Sequence, residues 1–351
     1  MKRDGGSIGG YFSWPAPNSG AFAKERNGSS LIICSVTGLL EAPGYHDNFS
    51  YMKRFNFYNC CKLGMLLLPI ITGLMAGCAR GIPENTQAVR NLEYGQASGE
   101  SLLLDIYRPK KINRKLPVIV WLYGGAWKAG SKDFCPIAFM ATQQIAIVSI
   151  SYRLDNVAPF PAQIYDCKGA IRWLRANASK YGLDANHIGV FGASAGGHLA
   201  LLLAATAGNP LMEGDVGDHL NYSSRVQCVC AFYPPTDLNR LVSDPRVRTD
   251  PTGDVAKLIG GAIAQNVDKA IAASPLTYVD KNCAPVFLMH GANDTLVPPE
   301  QSQIFYRALL KAGVDAHLEI IPNQGHGIIA PPRVAREIYQ FFGEYLNVPG
   351  A

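Results

Sequence analysis

A serine flanked by glycines lies where a β-prone run meets a run rich in Ala and Leu. Residues 192–197 read Gly-Ala-Ser-Ala-Gly-Gly and contain the pattern Gly-x-Ser-x-Gly, with Ser194 at its centre. In this pattern the serine occupies a sharp strand-to-helix turn that exposes its hydroxyl oxygen, and the glycines avoid steric clashes. Residues 187–191 are strand-like and residues 198–205 are helix-like. Ser194 is therefore the candidate nucleophile.

A nucleophilic serine needs a base that takes its proton and an acid that orients the base. His326 lies between two glycines after the predicted strand 316–321, and Asp294 lies in a Gly/Asn turn after the predicted strand 285–290. The chain order serine, aspartate, histidine is the one expected of an α/β-hydrolase. The sequence therefore predicts a triad of Ser194, Asp294 and His326.

Other residues compete for the same roles. Asp237 follows the strand-like run 226–233 and is the alternative acid. His198 is expected to face the core one turn into the helix after the nucleophile, whereas His187 and His290 stand at strand ends. We interpret these three histidines as structural.

An acyl-transfer serine also needs amide donors for the oxyanion of the tetrahedral intermediate. The glycine-rich loop 123–127 follows a predicted central strand, so the amides of Gly125 and Ala126, together with that of Ala195, are the predicted donors. A plain glycine turn or a phosphate cradle is the alternative. Nucleotide binding is disfavoured because neither Gly-Lys-Ser/Thr nor Gly-x-Gly-x-x-Gly follows.

Five motifs, in this order, resemble the α/β-hydrolase esterase and lipase group related to hormone-sensitive lipase and to bacterial feruloyl and acetyl esterases. The resemblance covers about residues 90–346. The motifs are Tyr-Gly-Gly-Ala-Trp at 123–127, Gly-Ser-Lys at 130–132, Gly-Ala-Ser-Ala-Gly-Gly-His at 192–198, His-Gly-Ala-Asn-Asp at 290–294 and Gly-His-Gly at 325–327.

The resemblance implies a serine carboxylesterase with the triad and oxyanion donors named above. It departs from the group's usual His-Gly-Gly at Tyr123, whose hydroxyl is expected to affect loop packing or substrate shape. Tyr123 and Trp127 are candidate walls of the substrate pocket, and a packing anchor is the alternative role for Trp127.

Strand-like and helix-like runs alternate along the chain, which favours a mostly parallel sheet flanked by helices. The α/β-hydrolase fold is the predicted class, with a small lid or insertion at about residues 235–275, after the sixth strand. The predicted substrates are short acyl or aryl esters, including acetyl or feruloyl groups on plant polysaccharide. An arylformamidase-like amidase or a serine peptidase is the second interpretation, and a non-catalytic surface binding protein is the third.

Composition limits the remaining classes. The chain has 351 residues, a formal charge of +5 and 48% hydrophobic residues, without a basic stripe, so a nucleic-acid partner is not expected. No Cys-x-x-Cys pair or His-Glu-x-x-His occurs, so a metal is not predicted. The esterase interpretation implies no cofactor. The oligomeric state stays open. Five of the nine cysteines lie after Cys78, and we expect them to be buried free thiols with at most one disulfide. They are Cys135, Cys167, Cys228, Cys230 and Cys283.

Residues 52–77 resemble a lipoprotein signal peptide. A basic segment precedes a short apolar run that ends at Leu-Met-Ala-Gly before Cys78, and the run is shorter than the roughly 20 residues that span a bilayer. We expect translation to begin at Met52, residues 1–51 to be disordered or not part of the native protein, and residues 78–351 to form the hydrolase domain. The alternative is a buried N-terminal helix. We predict that the protein is bacterial, is exported, and is held in the periplasm or at the cell surface by a lipid on Cys78. Contact with the membrane is expected only through that anchor.

Overall fold

The computed structural model describes residues 84–247 and 251–348. Residues 1–51, the predicted signal segment 52–77 and Cys78 lie outside the described residues. None of the helices in the described ranges has the length and apolar character needed to cross a membrane.

A central sheet of eight strands organises the described residues. Its spatial order is β1-β2-β4-β3-β5-β6-β7-β8, with β1 and β2 antiparallel and the strands from β4 to β8 parallel to one another. This mostly parallel sheet confirms the predicted fold class. The strands are β1 Thr86–Ala97, β2 Glu100–Pro109, β3 Leu116–Leu122, β4 Ala146–Ile150, β5 Leu183–Ala193, β6 Cys228–Phe232, β7 Val286–Gly291 and β8 Ala316–Ile321.

Alternation along the central strands builds a hydrophobic core on each face of the sheet. In β3, Val118 and Val120 pack into one core, while Ile119 and Trp121 pack into the other. Successive side chains of a strand point to opposite faces, so a strand covered on both sides is apolar throughout. All seven residues of β3 are buried, as its sequence predicts.

Helices cover both faces. Helices α1, α2 and α7 pack in the core that contains Val118, and α8 packs in the core that contains Ile119 together with the 3₁₀ helix Ala138–Gln143. The helices are α1 Ala162–Tyr181, α2 Ala195–Ala205, α3 Pro210–Glu213, α4 Leu238–Ser243, α5 Pro251–Ile259, α6 Val267–Ala272, α7 Glu300–Lys311 and α8 Pro332–Leu346, with further 3₁₀ turns at Ile263–Gln265 and Pro275–Tyr278.

The sequence analysis assigns no strand to residues 86–97, which form the edge strand β1 in the structure. The structure places Thr86 and Gln87 in β1, paired with Pro109 and Arg108. Irregular pairing occurs between Val89 and Leu92 and again further along the strand. Such irregularities interrupt the alternation of apolar and polar residues, which is the signal that identifies a strand.

Between β6 and β7, the segment predicted as a lid contains α4, α5, α6 and a 3₁₀ turn. Three of its residues, Gly253, Asp254 and Lys257, line the cavity described below. Its role as a lid stays a prediction.

The five cysteines of the described residues are free thiols, and four of them are buried. The thiols of Cys228 and Cys230 face the same core, as their spacing predicts, whereas the intervening Val229 faces the other. The structure therefore corresponds to the interpretation without a disulfide.

Candidate active site

Ser194 occupies the turn between β5 and α2. Its backbone has φ 55° and ψ −121°, a strained conformation for a residue with a side chain, and its carbonyl begins the helix by accepting a hydrogen bond from the amide of His198 at 2.9 Å. The turn fits closely under the neighbouring strand, since a Cβ at Gly196 would lie 2.1 Å from the carbonyl oxygen of Leu122. Glycine at this position is thus a steric requirement of the elbow.

The predicted triad residues come together at the carboxyl edge of the sheet. Ser194 follows β5, Asp294 follows β7 and His326 follows β8. Nε2 of His326 lies 3.0 Å from Oγ of Ser194, and Nδ1 lies 2.8 Å from Oδ2 of Asp294. A carboxylate only accepts, so Nδ1 donates to Asp294 and the neutral ring presents Nε2 to the serine proton.

The Asp294 side chain is fully buried. Burial alone would raise its pKa, but hydrogen bonds from His290 and His326 outweigh burial and hold the pKa well below the usual range. The other oxygen, Oδ1, accepts the amides of Leu296 and Val297, both at 2.9 Å. Asp294 is therefore ionised at neutral pH and held from both oxygens.

The loop after β3 presents backbone amides beside the nucleophile. Gly125, Ala126 and Trp127 all have positive φ, at 121°, 52° and 59°. No described residue accepts a hydrogen bond from the amides of Gly125 or Ala126, and Ala195 opens α2, where the first amides have no partner within the helix. All three predicted oxyanion donors thus lie on segments with unused amides.

A buried ion pair anchors the far end of this loop to β2. The ammonium of Lys132 lies 2.8 Å from Oδ1 of Asp105 and 2.8 Å from Oδ1 of Asn91. The Asp105 side chain is fully buried and that of Lys132 nearly so. Loss of one partner of such a pair leaves an uncompensated buried charge, which makes the anchor costly to disrupt.

A cavity of about 1050 Å³ opens over the triad serine and histidine. Its walls carry many aromatic and aliphatic side chains and two lysines. They also include residues of the loop 123–127, which contains two of the predicted oxyanion donors and is called the oxyanion loop below. Lining residues include Trp121, Tyr123, Lys128, Phe134, Pro136, Phe232, Tyr233, Lys257, Leu296 and Ile328. This size and apolar character are typical of a small-molecule site.

Of the two residues predicted to form walls of the substrate pocket, only Tyr123 lines the cavity. Tyr123 lines the cavity, although its hydroxyl donates to the carbonyl of Tyr152 at 3.3 Å and its ring stacks on that tyrosine. Trp127 is not among the lining residues. It is 3% exposed, and its indole N–H donates to Nδ1 of His198 at 3.2 Å. Trp127 is a packing anchor because its ring turns away from the cavity to pair with the buried histidine.

The competing residues have other partners. Asp237 caps α4 by accepting the amide of Arg240 at 3.0 Å. His198 is fully buried between Trp127 and the carbonyl of Ala273, and burial lowers its pKa to about 4. His187 pairs with Asp184 at the opposite end of β5. None of their side chains is hydrogen-bonded to Ser194 or His326; the contact of His198 with Ser194 runs through its backbone amide alone.

Sequence analysis missed two residues that contact the triad. Tyr233 follows β6 and lines the cavity, and its ring centroid lies 4.5 Å from that of His326. His290 lies 3.3 Å from Asp294. His290 and Asp294 are four residues apart across a tight turn, and this spacing could have predicted their contact.

One group of potential metal ligands occurs within the described residues, at the surface near β8 and α8. It comprises His317, Glu319 and Glu337. The guanidinium of Arg333 already binds both glutamates, at 2.8 and 2.5 Å. The expectation that the protein needs no metal or cofactor stays a prediction.

Residues 104–309 match the family model BD-FAE, and this match covers more than half of the chain. The chain belongs to the BD-FAE family. The match includes β3, the oxyanion loop, the Ser194 elbow and Asp294. BD-FAE membership and the sheet topology place the protein among the α/β-hydrolase esterases, as the sequence motifs predict.

Three esterases are similar to this chain. The chain is 33% identical to Esterase LipC of Mycobacterium tuberculosis over 246 residues, which cover 68% of this chain and 59% of LipC. Among solved structures, a truncated carbohydrate esterase from gut microbiota is 29% identical, with a TM-score of 0.67, covering 76% of this chain and 100% of that one. Esterase 2 of Thermogutta terrifontis with bound butyrate is 25% identical, with a TM-score of 0.64, covering 76% and 97%.

Proposed function

We propose that this protein is a serine carboxylesterase that forms an acyl-enzyme on Ser194. The main observation that supports this proposal is the continuous chain of hydrogen bonds from Asp294 through His326 to Ser194, at the base of an open cavity. The esterase relatives support the reaction class.

Each residue of the site has a separate role in the proposed hydrolysis. His326 takes the proton of Ser194 as Oγ attacks the ester carbonyl, and the amides of Gly125, Ala126 and Ala195 stabilise the oxyanion. His326 then protonates the leaving alcohol as the C–O bond breaks. Water, deprotonated by His326, attacks the acyl-enzyme, releases the carboxylic acid and restores the serine proton. Asp294 stays ionised throughout and stabilises the imidazolium.

We propose short acyl or aryl esters as substrates, including acetyl or feruloyl groups on plant polysaccharide. The aromatic lining at Trp121, Phe134 and Tyr233 suits a planar acyl group or a sugar ring. The similarity to a carbohydrate esterase and to an esterase with bound butyrate supports this range.

The experiment is hydrolysis of p-nitrophenyl esters from acetate to palmitate, with methyl ferulate and acetylated xylan, by the full chain and by Ser194→Ala. We expect the highest kcat/KM at acetate or butyrate and a loss of at least about 10³-fold in the variant. Folded wild-type protein without ester turnover would contradict the proposal, and turnover of formanilide or peptide amides instead would favour the amidase or peptidase interpretation.

We also propose that the protein is exported and anchored through a lipid on Cys78. The supporting observation is the basic and apolar segment 52–77 that ends in small residues before this cysteine. Expression in a bacterium with radiolabelled palmitate tests the anchor. Wild-type protein is expected in the membrane fraction with label, and Cys78→Ser protein without label. Equal membrane association of the two proteins would rule the anchor out.

A further inference from the structure

His290 is buried at the end of β7 and contacts the acid of the triad. Its side chain is 0% exposed. Nε2 lies 2.8 Å from the carbonyl oxygen of Val297 and 3.3 Å from Oδ2 of Asp294, and Nδ1 lies 2.7 Å from Oγ of Ser302 on α7. Both ring nitrogens therefore have partners in the segments that build the site.

These partners define where the ring carries its proton. A carbonyl oxygen only accepts hydrogen bonds, so Nε2 of His290 bears the hydrogen and shares it between Val297 and Asp294. In the neutral ring Nδ1 is then an acceptor, and the Ser302 hydroxyl donates to it. A hydrogen-bonded path thus runs from α7 through His290 to the triad.

The hydrogen bond from His290 affects the interaction of Asp294 with His326, because both histidines donate to the same carboxylate oxygen. Oδ2 accepts from Nδ1 of His326 at 2.8 Å as well as from His290, whereas Oδ1 is occupied by two backbone amides. A second donor at Oδ2 draws carboxylate charge away from the imidazolium that forms during catalysis.

We propose that His290 is a positioning residue for the Asp294 carboxylate, and that its Nε2–H hydrogen bond sets both the orientation of Oδ2 and its attraction for protonated His326. The inference rests on the proposed function. The titratable groups that face Asp294 and His326 are His290 and, from the segment after β6, Tyr233. From α7 the neutral Ser302 faces His290.

Two substitutions separate the contacts of His290. His290→Gln places an amide nitrogen near the position of Nε2 and retains a donor toward Asp294. His290→Asn places its amide near the position of Nδ1, retains the contact with Ser302 and loses the donor. Both variants replace the ring with a smaller amide. Asn lacks one methylene of Gln, so the loss of packing is larger in His290→Asn and is measured separately by urea unfolding.

We expect His290→Asn to change the pH profile of kcat/KM and the value of kcat, and His290→Gln to leave both close to the wild type. Without the second donor, Asp294 attracts the imidazolium more strongly, so the acid limb of kcat/KM moves to higher pH. For His290→Asn we expect this shift to be about half a unit or more. Loss of the fixed orientation of Oδ2 outweighs the stronger attraction, so we also expect kcat on p-nitrophenyl butyrate to fall about tenfold, with KM within about twofold. His290→Gln should restore kcat to within about threefold and return the limb to its wild-type position.

NMR titration of the His326 ring in the resting proteins, assigned against His326→Gln, measures the same shift without turnover. A wild-type protein without esterase activity would refute the proposed function, while the NMR comparison would still decide the role of His290. His187→Asn, at the far end of β5, is the control and should match the wild type in both measurements. If the Asn and Gln variants behave alike, or if neither moves the His326 titration, His290 is only structural and the inference is overturned.

Discussion

The buried His198 ring makes the stability of the protein depend on pH. Burial lowers its pKa to about 4, whereas a histidine in the unfolded chain titrates near 6.5. Between these values the unfolded chain binds a proton that the folded ring does not accept. Stability is therefore fully present above about pH 6.5 and is lost as the pH falls toward 4, by about 3 kcal/mol.

Urea unfolding between pH 4.5 and 8 tests this dependence. We expect His198→Gln to flatten the slope of the unfolding free energy against pH. An unchanged slope in His198→Gln would show that other groups cause the dependence.

Sequence reasoning at the residue scale found the three side chains that the structure joins as a triad, because loop position and chain order both constrain them. It left Trp127 open between pocket wall and packing anchor, since both roles need a large ring after a glycine turn. The packing on His198 decides between them only in three dimensions. His290 was interpreted as structural because its contact with Asp294 depends on how the turn 291–294 closes.

The oxyanion loop depends on its backbone at Gly125. This residue has φ 121°, and a Cβ would lie 2.2 Å from the carbonyl oxygen of Ala129. We expect Gly125→Ala to displace the loop and lower kcat about 10²-fold or more by misplacing the amide donors, with little change in the global fold. Steady-state kinetics and circular dichroism check this outcome.

Gly208→Ala is the matched control. Gly208 also has a positive φ, of 76°, but a Cβ there meets nothing within 4 Å, and the residue does not line the cavity. We expect a cost of about 1 kcal/mol in stability and unchanged kcat. Equal kcat losses in both variants would attribute the effect to general destabilisation.

An ion pair joins the oxyanion loop to helix α5 at the cavity. Nζ of Lys128 lies 2.5 Å from Oδ1 of Asp254, and both residues line the cavity. Because the pair is partly exposed, Lys128→Met should change stability by less than about 1 kcal/mol. KM for p-nitrophenyl butyrate should change by about two- to fivefold through altered placement of α5.

Arg246→Met, which breaks a comparable exposed pair with Glu300 away from the cavity, is the control for KM. Equal KM values for the wild type and Lys128→Met would show that the pair does not hold the cavity wall.

At the scale of the whole molecule, the alternation of strands and helices predicted the sheet from β2 to β8, because buried parallel strands are apolar on both faces. Strand β1 was missed because irregular pairing and polar residues at an edge remove that signal. The cavity could not be predicted either, since Trp121, Tyr233 and Ile328 come from distant parts of the chain and meet only after the sheet forms. The sequence nevertheless predicted that each triad residue directly follows a strand, and the structure brings these strand ends together.

Reaction of the folded protein with a fluorophosphonate, followed by intact mass and peptide mapping, tests the central claim most directly. An activated serine beside an oxyanion hole reacts with such reagents, whereas an ordinary surface serine does not. We predict one adduct per chain, located on Ser194 and absent from Ser194→Ala. A folded wild-type protein that stays unlabelled, or an equally labelled Ser194→Ala variant, would contradict the account.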